Sequence, residues 1–451
     1  MVMRLKTKGF LLVLLCLLLL PGVAFAEEEE TDPSDILKRA ISPHIYVADA
    51  SDLSLCYFSR DEHGRVPPAS TTKIIVCLMA LERCSPEEIV IVPEEASSLG
   101  GSNSLMGLVK NEPVSVEHLL YGLMLPSGND AANALAIHMA GSIDAFVAQM
   151  NERAGALGMA DTSFTNPRGV TRAGHLSTAY DMALLTQCAL QNEMFRTIVS
   201  TAVYTVPANA VRSHPLELVN RNKLISDPPD APNTCYYADA IGVKTGTTYA
   251  GSCLVSAAQR EDVTLICVQL GAKRYESNNY RAASLCRSAR EMFLYVFENE
   301  YAYVNAETLI GTPAVRLPVS GAAGSGVLSA RAEPGSLTAY RPIRQINAIK
   351  DGSLEFEVNY AVAPLRAPIA AGDVVGTAVY SLSGRVWFAA PLVAEHDLPA
   401  PTAAPSPTPA AAPGSAPAQT VTEQKLVMSV LTSCLVLLLL GCALCLLLRR
   451  K

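Results

Sequence analysis

Along residues 33–300 the apolar positions switch repeatedly between the two-residue period of a strand and the three-to-four-residue period of a helix. A short helix is expected near Pro33 to Ala40, after which "HIYVADA" and "SLCYFSR" read as two strands joined by a turn. At residues 67–82, "PPASTTKIIVCLMALE" places two prolines, Ser70 and Lys73 at the head of an apolar run suited to a buried helix. "SVEHLLYGLML" has a serine cap and helical spacing, and "NDAANALAIHMAG" is an alanine-rich helix that ends on glycine. Further helices are expected over Ser142–Ala156, Ser177–Leu190 and Ser277–Phe297. Between the last two, "AIGVKTG", "SCLVSAAQ" and "TLICVQLGA" read as successive strands, antiparallel because their connections are short. The expected core is therefore helices packed on an antiparallel sheet, an α/β (α+β) arrangement.

From about residue 308 the texture changes to Gly, Ser, Val and Pro with short alternating segments such as "SLEFEVNYAV" and "VVGTAVYSL". This predicts a small all-β domain over 308–395, following a larger domain over 33–303. Residues 396–424, rich in Pro and Ala, read as an extended, partly stiff linker.

Both chain ends are strongly apolar. Arg4, Lys6 and Lys8 precede an apolar run and an Ala24-Phe25-Ala26 site, the layout of a cleavable export signal over 1–26. Near the other end a membrane-spanning helix is expected over 425–448, charge-free from Leu426, with a basic tail at 449–451 on the cytoplasmic side. The expected location is the cell membrane, single-pass, with the folded body outside the cytoplasm.

The 451 residues are 50% hydrophobic and 17% charged, enough for two or three domains with substantial cores. A net charge of −7 without a long basic run gives no footprint for nucleic acid. Of the twelve cysteines, eight fall between the two apolar ends, several inside apolar stretches, which favours buried thiols for most of them. The seven histidines are scattered and no Cys/His ligand set is clustered in the sequence, so neither a metal nor a cofactor is expected.

Candidate chemistry centres on Ser70 and Lys73. Residues i and i+3 of a helix are neighbours, so the hydroxyl and the amine can meet. A serine is also an ordinary helix cap, and the pair alone proves little. Two further triplets, Ser127-Gly128-Asn129 after a helix and Lys244-Thr245-Gly246 on a strand, make a chance arrangement much rarer. With "LLYGLMLPSGNDAANALA", "TSFTNPRGV", "STAYDMALL", "NRNKLI" and "GVKTGTTYAGSCLVSAAQR", the chain from Ser42 to Phe297 resembles the serine D-alanyl-D-alanine carboxypeptidases, the low-molecular-mass penicillin-binding proteins.

A serine hydroxyl needs a base beside it to act as a nucleophile at neutral pH. Lys73 can serve only if neutral, and burial with a neighbouring cation such as Lys244 pushes it that way. Ser70 is accordingly the expected nucleophile and Lys73 the general base. Lys244 and Thr245 supply a cation and a hydroxyl for a substrate's terminal carboxylate, and Gly246 leaves room for the substrate backbone. The resemblance further implies Ser127 as a proton relay, Asn129 as a holder of the substrate amide, and an oxyanion hole from the backbone N–H groups of Ser70 and Thr247.

The resemblance implies removal of the terminal D-alanine from peptidoglycan stem pentapeptides through an acyl-enzyme, with β-lactams as covalent inhibitors. The alternatives are an idle membrane-tethered binder or sensor of cell-wall peptides or β-lactams, a class A-like β-lactamase, or DD-endopeptidase or transpeptidase activity. "LELVN", Leu216 to Asn220, mimics the deacylation loop of those β-lactamases but lies only 27 residues before Lys244 and runs into "NRNKLI", so efficient β-lactam turnover is not expected. The arginine that relatives use for carboxylate binding has two candidates, Arg274 and Arg281, and stays unassigned. Pro167 and Gly169 read as turn-formers without chemistry, and His175 and His214 as surface or capping residues.

Overall fold

A computed structural model of the chain describes residues 32–100, 104–230, 234–273 and 278–401. The expected export signal, the linker beyond residue 401, the membrane helix, the basic tail, Arg274 and the side chain of Arg281 lie outside the described residues. No single helix among the described residues is long and apolar enough to cross a membrane.

Among the described residues the larger unit has nine strands: β1 (His44–Asp49), β2 (Cys56–Arg60), β3 (Ile89–Ile91), β4 (Pro113–Ser115), β5 (Val203–Val206), β6 (Leu216–Val219), β7 (Ala240–Thr248), β8 (Gly251–Arg260) and β9 (Val263–Ala272). Five of them form one antiparallel sheet in the order β2-β1-β9-β8-β7. Side chains alternate across it. Tyr46 and Ala48 of β1, Val255 and Ala257 of β8, and Ile266 and Val268 of β9 enter the core beneath the main helices. Ile45, Val47, Leu254, Leu265 and Cys267 enter a second core beneath the Asn278–Asn299 helix. Burial on both faces explains why β8 and β9 read as nearly continuous apolar runs instead of alternating ones.

The Lys73–Arg83 helix runs through the first core. Lys73 to Ala80 are all buried, so the segment is apolar all round, as a central helix must be. Burying Ile74, Ile75, Val76, Leu78 and Met79 contributes about 1.5–3 kcal/mol each. Around it pack the Val116–Met124 helix, capped by Ser115, and the Asn129–Ala140 helix, which stops at Gly141 in the left-handed region (φ 76°). The helices Ile143–Ala156, Ala179–Ala189 and Asn278–Asn299 lie where the sequence places them. A helix not expected from the sequence, Glu193–Ser200, starts on an Asn192 cap and packs beside β7. The "LELVN" lookalike is β6 of a β5–β6 hairpin; Glu217 there is exposed, and the Asn220 amide ties down the carbonyls of Val199 and Thr201.

Beyond residue 300 a third apolar cluster forms around a six-stranded sheet that contains Ala314–Ser320, Val327–Ala332, Glu357–Ala361, Val374–Leu382 and Arg385–Ala394. This part is not purely β. A two-turn helix, Ile343–Lys350, packs beside the two-stranded pair Tyr301–Asn305 and Thr338–Pro342 and buries Ile346. The part beyond residue 300 meets the larger unit through polar and charged contacts: Tyr301 donates to the buried Asp49 carboxylate at 2.6 Å, Arg341 reaches Asp262 at 2.8 Å, and Arg385 reaches both acids. All eight described cysteines are free thiols. Cys77, Cys235, Cys253, Cys267 and Cys286 are buried, and Cys56, Cys84 and Cys188 are partly so.

Candidate active site

Pro67 and Pro68 lead into a tight 3-10 turn, Ala69–Thr72, that passes directly into the Lys73–Arg83 helix. In 3-10 geometry residues i and i+3 eclipse, which brings Ser70 and Lys73 onto one line. The Lys73 Nζ lies 3.1 Å from Ser70 Oγ. Ser70 is no cap: the turn and the helix it leads into both begin without a side-chain cap bond, and the serine side chain stays half-exposed above the amine. Thr71 and Thr72 hold the turn by donating to the carbonyls of Pro68 and Ala69 at 2.6 and 2.8 Å.

The amine is enclosed on its other sides. It donates to Asn129 Oδ1 at 2.8 Å and to the carbonyl oxygen of Arg168 at 2.5 Å. That carbonyl comes from "NPRGV", which by sequence reads as a plain turn. The Asn166 amide folds the segment by accepting from the N–H groups of Gly169 and Val170 and donating to the Val170 carbonyl. Gly169 has φ +81°, and a Cβ there would stand 2.0 Å from the Ala69 carbonyl oxygen, so only glycine lets the turn press against the serine loop. "NPRGV" therefore has a positioning task without a sequence signature, because the working group is a backbone carbonyl.

His175 corrects another expectation. It is fully buried, not a surface or capping residue; its Nδ1 accepts from the Thr165 N–H at 3.0 Å and its Nε2 faces Thr72 Oγ1 at 2.9 Å. Burial first, then the Lys73 charge, push it down to about 4, which keeps the ring neutral and fits a proton on Nε2. His214 is exposed, as expected.

Across the cleft stand the residues of the second triplet. Asn129 opens its helix and is held by its own N–H to the Ser104 carbonyl at 2.8 Å. Asp130 beside it is buried and accepts from the N–H groups of Met106, Gly107 and Leu108, fixing the loop that walls the cleft. Ser127 takes a left-handed φ of 68°, and its buried Oγ has no hydrogen-bond partner among the described residues. The relay contact from Lys73 to Ser127 is therefore not made; Asn129 takes that bond. A buried hydroxyl left unpaired costs stability and suits a group that bonds to an arriving ligand.

The third triplet lies on β7, the edge strand of the sheet. Lys244 and Gly246 pair in register with Val255 and Cys253, on the face toward the serine turn. Gly246 is packed so closely that a Cβ would come within 2.8 Å of the Ser70 nitrogen. Thr245 is half-exposed and Thr247 exposed, and one row of the backbone groups of β7 is free of strand partners. Lys244 is only 1% exposed and donates to the Thr245 carbonyl at 3.0 Å.

The electrostatics follow from this packing. Burial is the largest effect on Lys73, followed by the charges of Lys244 and Arg168, and together they hold the amine well below its ordinary value of 10.5 against the opposing pull of Asp130. Burial, then the charge of Arg221, pushes Lys244 down to about 7. Arg221, from "NRNKLI", anchors to Ser104 Oγ at 2.6 Å and adds a cation to the rim, a role with no motif of its own. Ser70, Lys73, Asn129, Lys244 and Gly246 thus converge, with Ser127, Thr245 and Thr247 in the adjoining segments.

Comparison with known proteins places this arrangement in context. Residues 45–274 match the family model described as D-alanyl-D-alanine carboxypeptidase, and residues 346–400 match that of the penicillin-binding protein 5 C-terminal domain. The chain is 29% identical to the D-alanyl-D-alanine carboxypeptidase DacF of Bacillus subtilis, over 86% of this chain and 93% of the relative. It is 30% identical to DacC of Escherichia coli, over 84% and 88% respectively. Among solved structures, the D-alanyl-D-alanine carboxypeptidase DacD from Francisella tularensis shares the fold, with a TM-score of 0.51 and 23% identity over 80% of this chain and 94% of that one.

Proposed function

The chain belongs to the D-alanyl-D-alanine carboxypeptidase family, and on that premise we propose how its own residues remove the terminal D-alanine from a peptidoglycan stem pentapeptide. The observation that carries the reading is the 3.1 Å contact between a nucleophile-ready hydroxyl, Ser70, and a desolvated amine, Lys73. Neutral Lys73 takes the Ser70 proton as Oγ attacks the carbonyl carbon of the penultimate residue. The oxyanion that forms is held by the N–H groups of Ser70 and Thr247, a pairing supported by the packing of Gly246 on the Ser70 nitrogen. Lys244 and Thr245 bind the terminal carboxylate, and its arrival favours the ammonium form of Lys244.

Collapse of the intermediate breaks the C–N bond and needs a proton on the leaving D-alanine nitrogen. Lys73 supplies it, with Ser127 Oγ, the unpaired buried hydroxyl, as the bridge. The freed amine then activates water, which hydrolyses the Ser70 ester and returns the enzyme. A β-lactam enters the same first step and stays as an ester on Ser70. Asn129 orients Lys73 through its Oδ1 and lines the path of the substrate.

The test pairs two readouts on one protein. Wild type is expected to release free D-alanine from a synthetic pentapeptide and to be labelled by a fluorescent penicillin; Ser70→Ala loses both. A protein labelled at Ser70 that releases no D-alanine overturns the turnover reading.

We also propose that the catalytic unit works outside the cytoplasm, tethered by residues 425–448. The support is the charge-free stretch from Leu426 to Leu448, the basic tail after it and the export-signal layout of residues 1–26. Full-length protein is expected in the membrane pellet, and a chain stopped after residue 401 in the soluble exported fraction. Equal recovery of both forms in the pellet contradicts the tether.

A further inference from the structure

About three turns from Ser70, at the far ends of two catalytic helices, three side chains from separate segments meet. Cys84 caps the C-terminus of the Lys73–Arg83 helix, its N–H bonded to the Ala80 carbonyl at 2.9 Å. Glu88 closes the turn before β3, and His138 sits in the last turn of the Asn129–Ala140 helix. The Cys84 Sγ, a Glu88 carboxylate oxygen and a His138 ring nitrogen all lie within 4.8 Å of one another, with Nε2 to Oε1 at 2.8 Å. From these contacts we infer a zinc-class metal site, formed by Cys84, Glu88 and His138, that fastens the two helices together.

The donor set fits that class. Zinc binds thiolate sulfur at about 2.3 Å and imidazole nitrogen or carboxylate oxygen at about 2.0–2.2 Å, which sets donor-to-donor edges of roughly 3.3–3.6 Å in a tetrahedron. Spacings within 4.8 Å reach those edges by small side-chain rotations of Cys84, Glu88 and His138, none of which is fully buried. One sulfur and one nitrogen select a borderline ion such as Zn²⁺ over the oxygen-seeking Mg²⁺ and Ca²⁺. The fourth position faces solvent, since the His138 and Glu88 side chains are 24% and 42% exposed, so a water completes it.

The frame is set before any ion arrives. The Val116 N–H bonds the Glu88 carbonyl and the Glu117 N–H bonds that of Pro86, both at 2.9 Å, which fixes the turn carrying Glu88. Binding replaces the His138–Glu88 hydrogen bond with two metal bonds and releases the Cys84 thiol proton to solvent, one proton per ion. The same helices carry Lys73 and Asn129 at their N-terminal ends. The ion lies too far from Ser70 to take part in the chemistry; its effect is to stiffen the scaffold. The three positions are 84, 88 and 138, so no close ligand spacing announces them in the sequence.

The test titrates chelator-stripped full-length protein with Co²⁺ and then Zn²⁺. Expected are a thiolate-to-cobalt charge-transfer band that saturates at one ion per chain, its bleaching by Zn²⁺, and a Tm that rises with Zn²⁺. Cys84→Ser abolishes the band, His138→Gln weakens Zn²⁺ binding at least about tenfold, and neither changes D-alanine release by the metal-free protein. Cys188→Ala, at another partly buried thiol, keeps the band. Absence of the band in the parent, or its persistence in Cys84→Ser, overturns the site and leaves His138 and Glu88 as an ordinary surface pair.

Discussion

Lys73→Met is expected to lower kcat/KM for D-alanine release by at least about 10²–10⁴-fold, the range for loss of a positioned general base, while the protein stays folded. Methionine keeps most of the stem volume in a site that is fully buried. It removes the amine that contacts Ser70 Oγ, and no other base stands within hydrogen-bond range of that hydroxyl among the described residues. Stability is expected to change little. The lost hydrogen bonds to Asn129 Oδ1 and the Arg168 carbonyl are offset by relief from holding an amine away from water. Steady-state rates with a pentapeptide and a thermal melt check both parts, and a rate within tenfold of the parent contradicts Lys73 as the base.

Lys244→Gln is expected to cost about 10- to 100-fold in kcat/KM for peptides with a free terminal carboxylate, which corresponds to loss of a charge-assisted bond worth about 1.5–3 kcal/mol. Peptides whose C-terminus is amidated lose the anion and are expected to be poor substrates for both proteins alike. The pH dependence carries a second signature. Lys73 must be neutral to act, so activity rises with pH as it deprotonates; Lys244 must be charged to grip, so in the free enzyme the rate falls as pH climbs past about 7. The parent profile is therefore a bell whose limbs belong to the coupled pair. In Lys244→Gln the falling limb disappears, and the rising limb moves to higher pH because the second-largest force on Lys73 is gone.

Folding stability has its own sign. Between about 7 and 10.5 the unfolded chain binds more protons at Lys244 than the folded chain does, so stability rises with pH across that window. The rise is expected to be shallower in the variant. Equal losses on free and amidated peptides, with an unchanged profile, contradict the carboxylate grip.

The legible parts of the site share one property: their chemistry lies in side chains fixed by local spacing. Ser70 and Lys73 sit one turn apart, so a helix prediction is enough to bring them together. The strand triplet is legible because β7 to β9 are separated by short turns that allow only antiparallel pairing. Helix starts were equally readable where Ser115 and Ser142 supply caps.

What stayed hidden depends on groups without a sequence signature or on distant approach. The Arg168 carbonyl is a backbone atom present in every residue, and only the tight Gly169–Ala69 packing turns it toward Lys73. His175 is a lone histidine whose burial is decided by the Thr72 and Thr165 contacts from two other segments. The Ile343–Lys350 helix lies between strand-like segments and buries only Ile346, which leaves little apolar periodicity to read. The Lys73 bond to Asn129 Oδ1, with the buried Ser127 hydroxyl left without a partner among the described residues, is likewise a matter of tertiary approach that no sequence spacing announces.

The central claim is that the protein keeps Lys73 uncharged at working pH by burying it beside other cations. A carbon-13 NMR titration of the purified protein, with lysine labelled at the ε-carbon and the Lys73 signal assigned through Lys73→Met, reads that charge directly. The account predicts a midpoint well below 10.5, moving upward in Lys244→Gln. A Lys73 signal that titrates with the exposed lysines, at about 10.4, contradicts it.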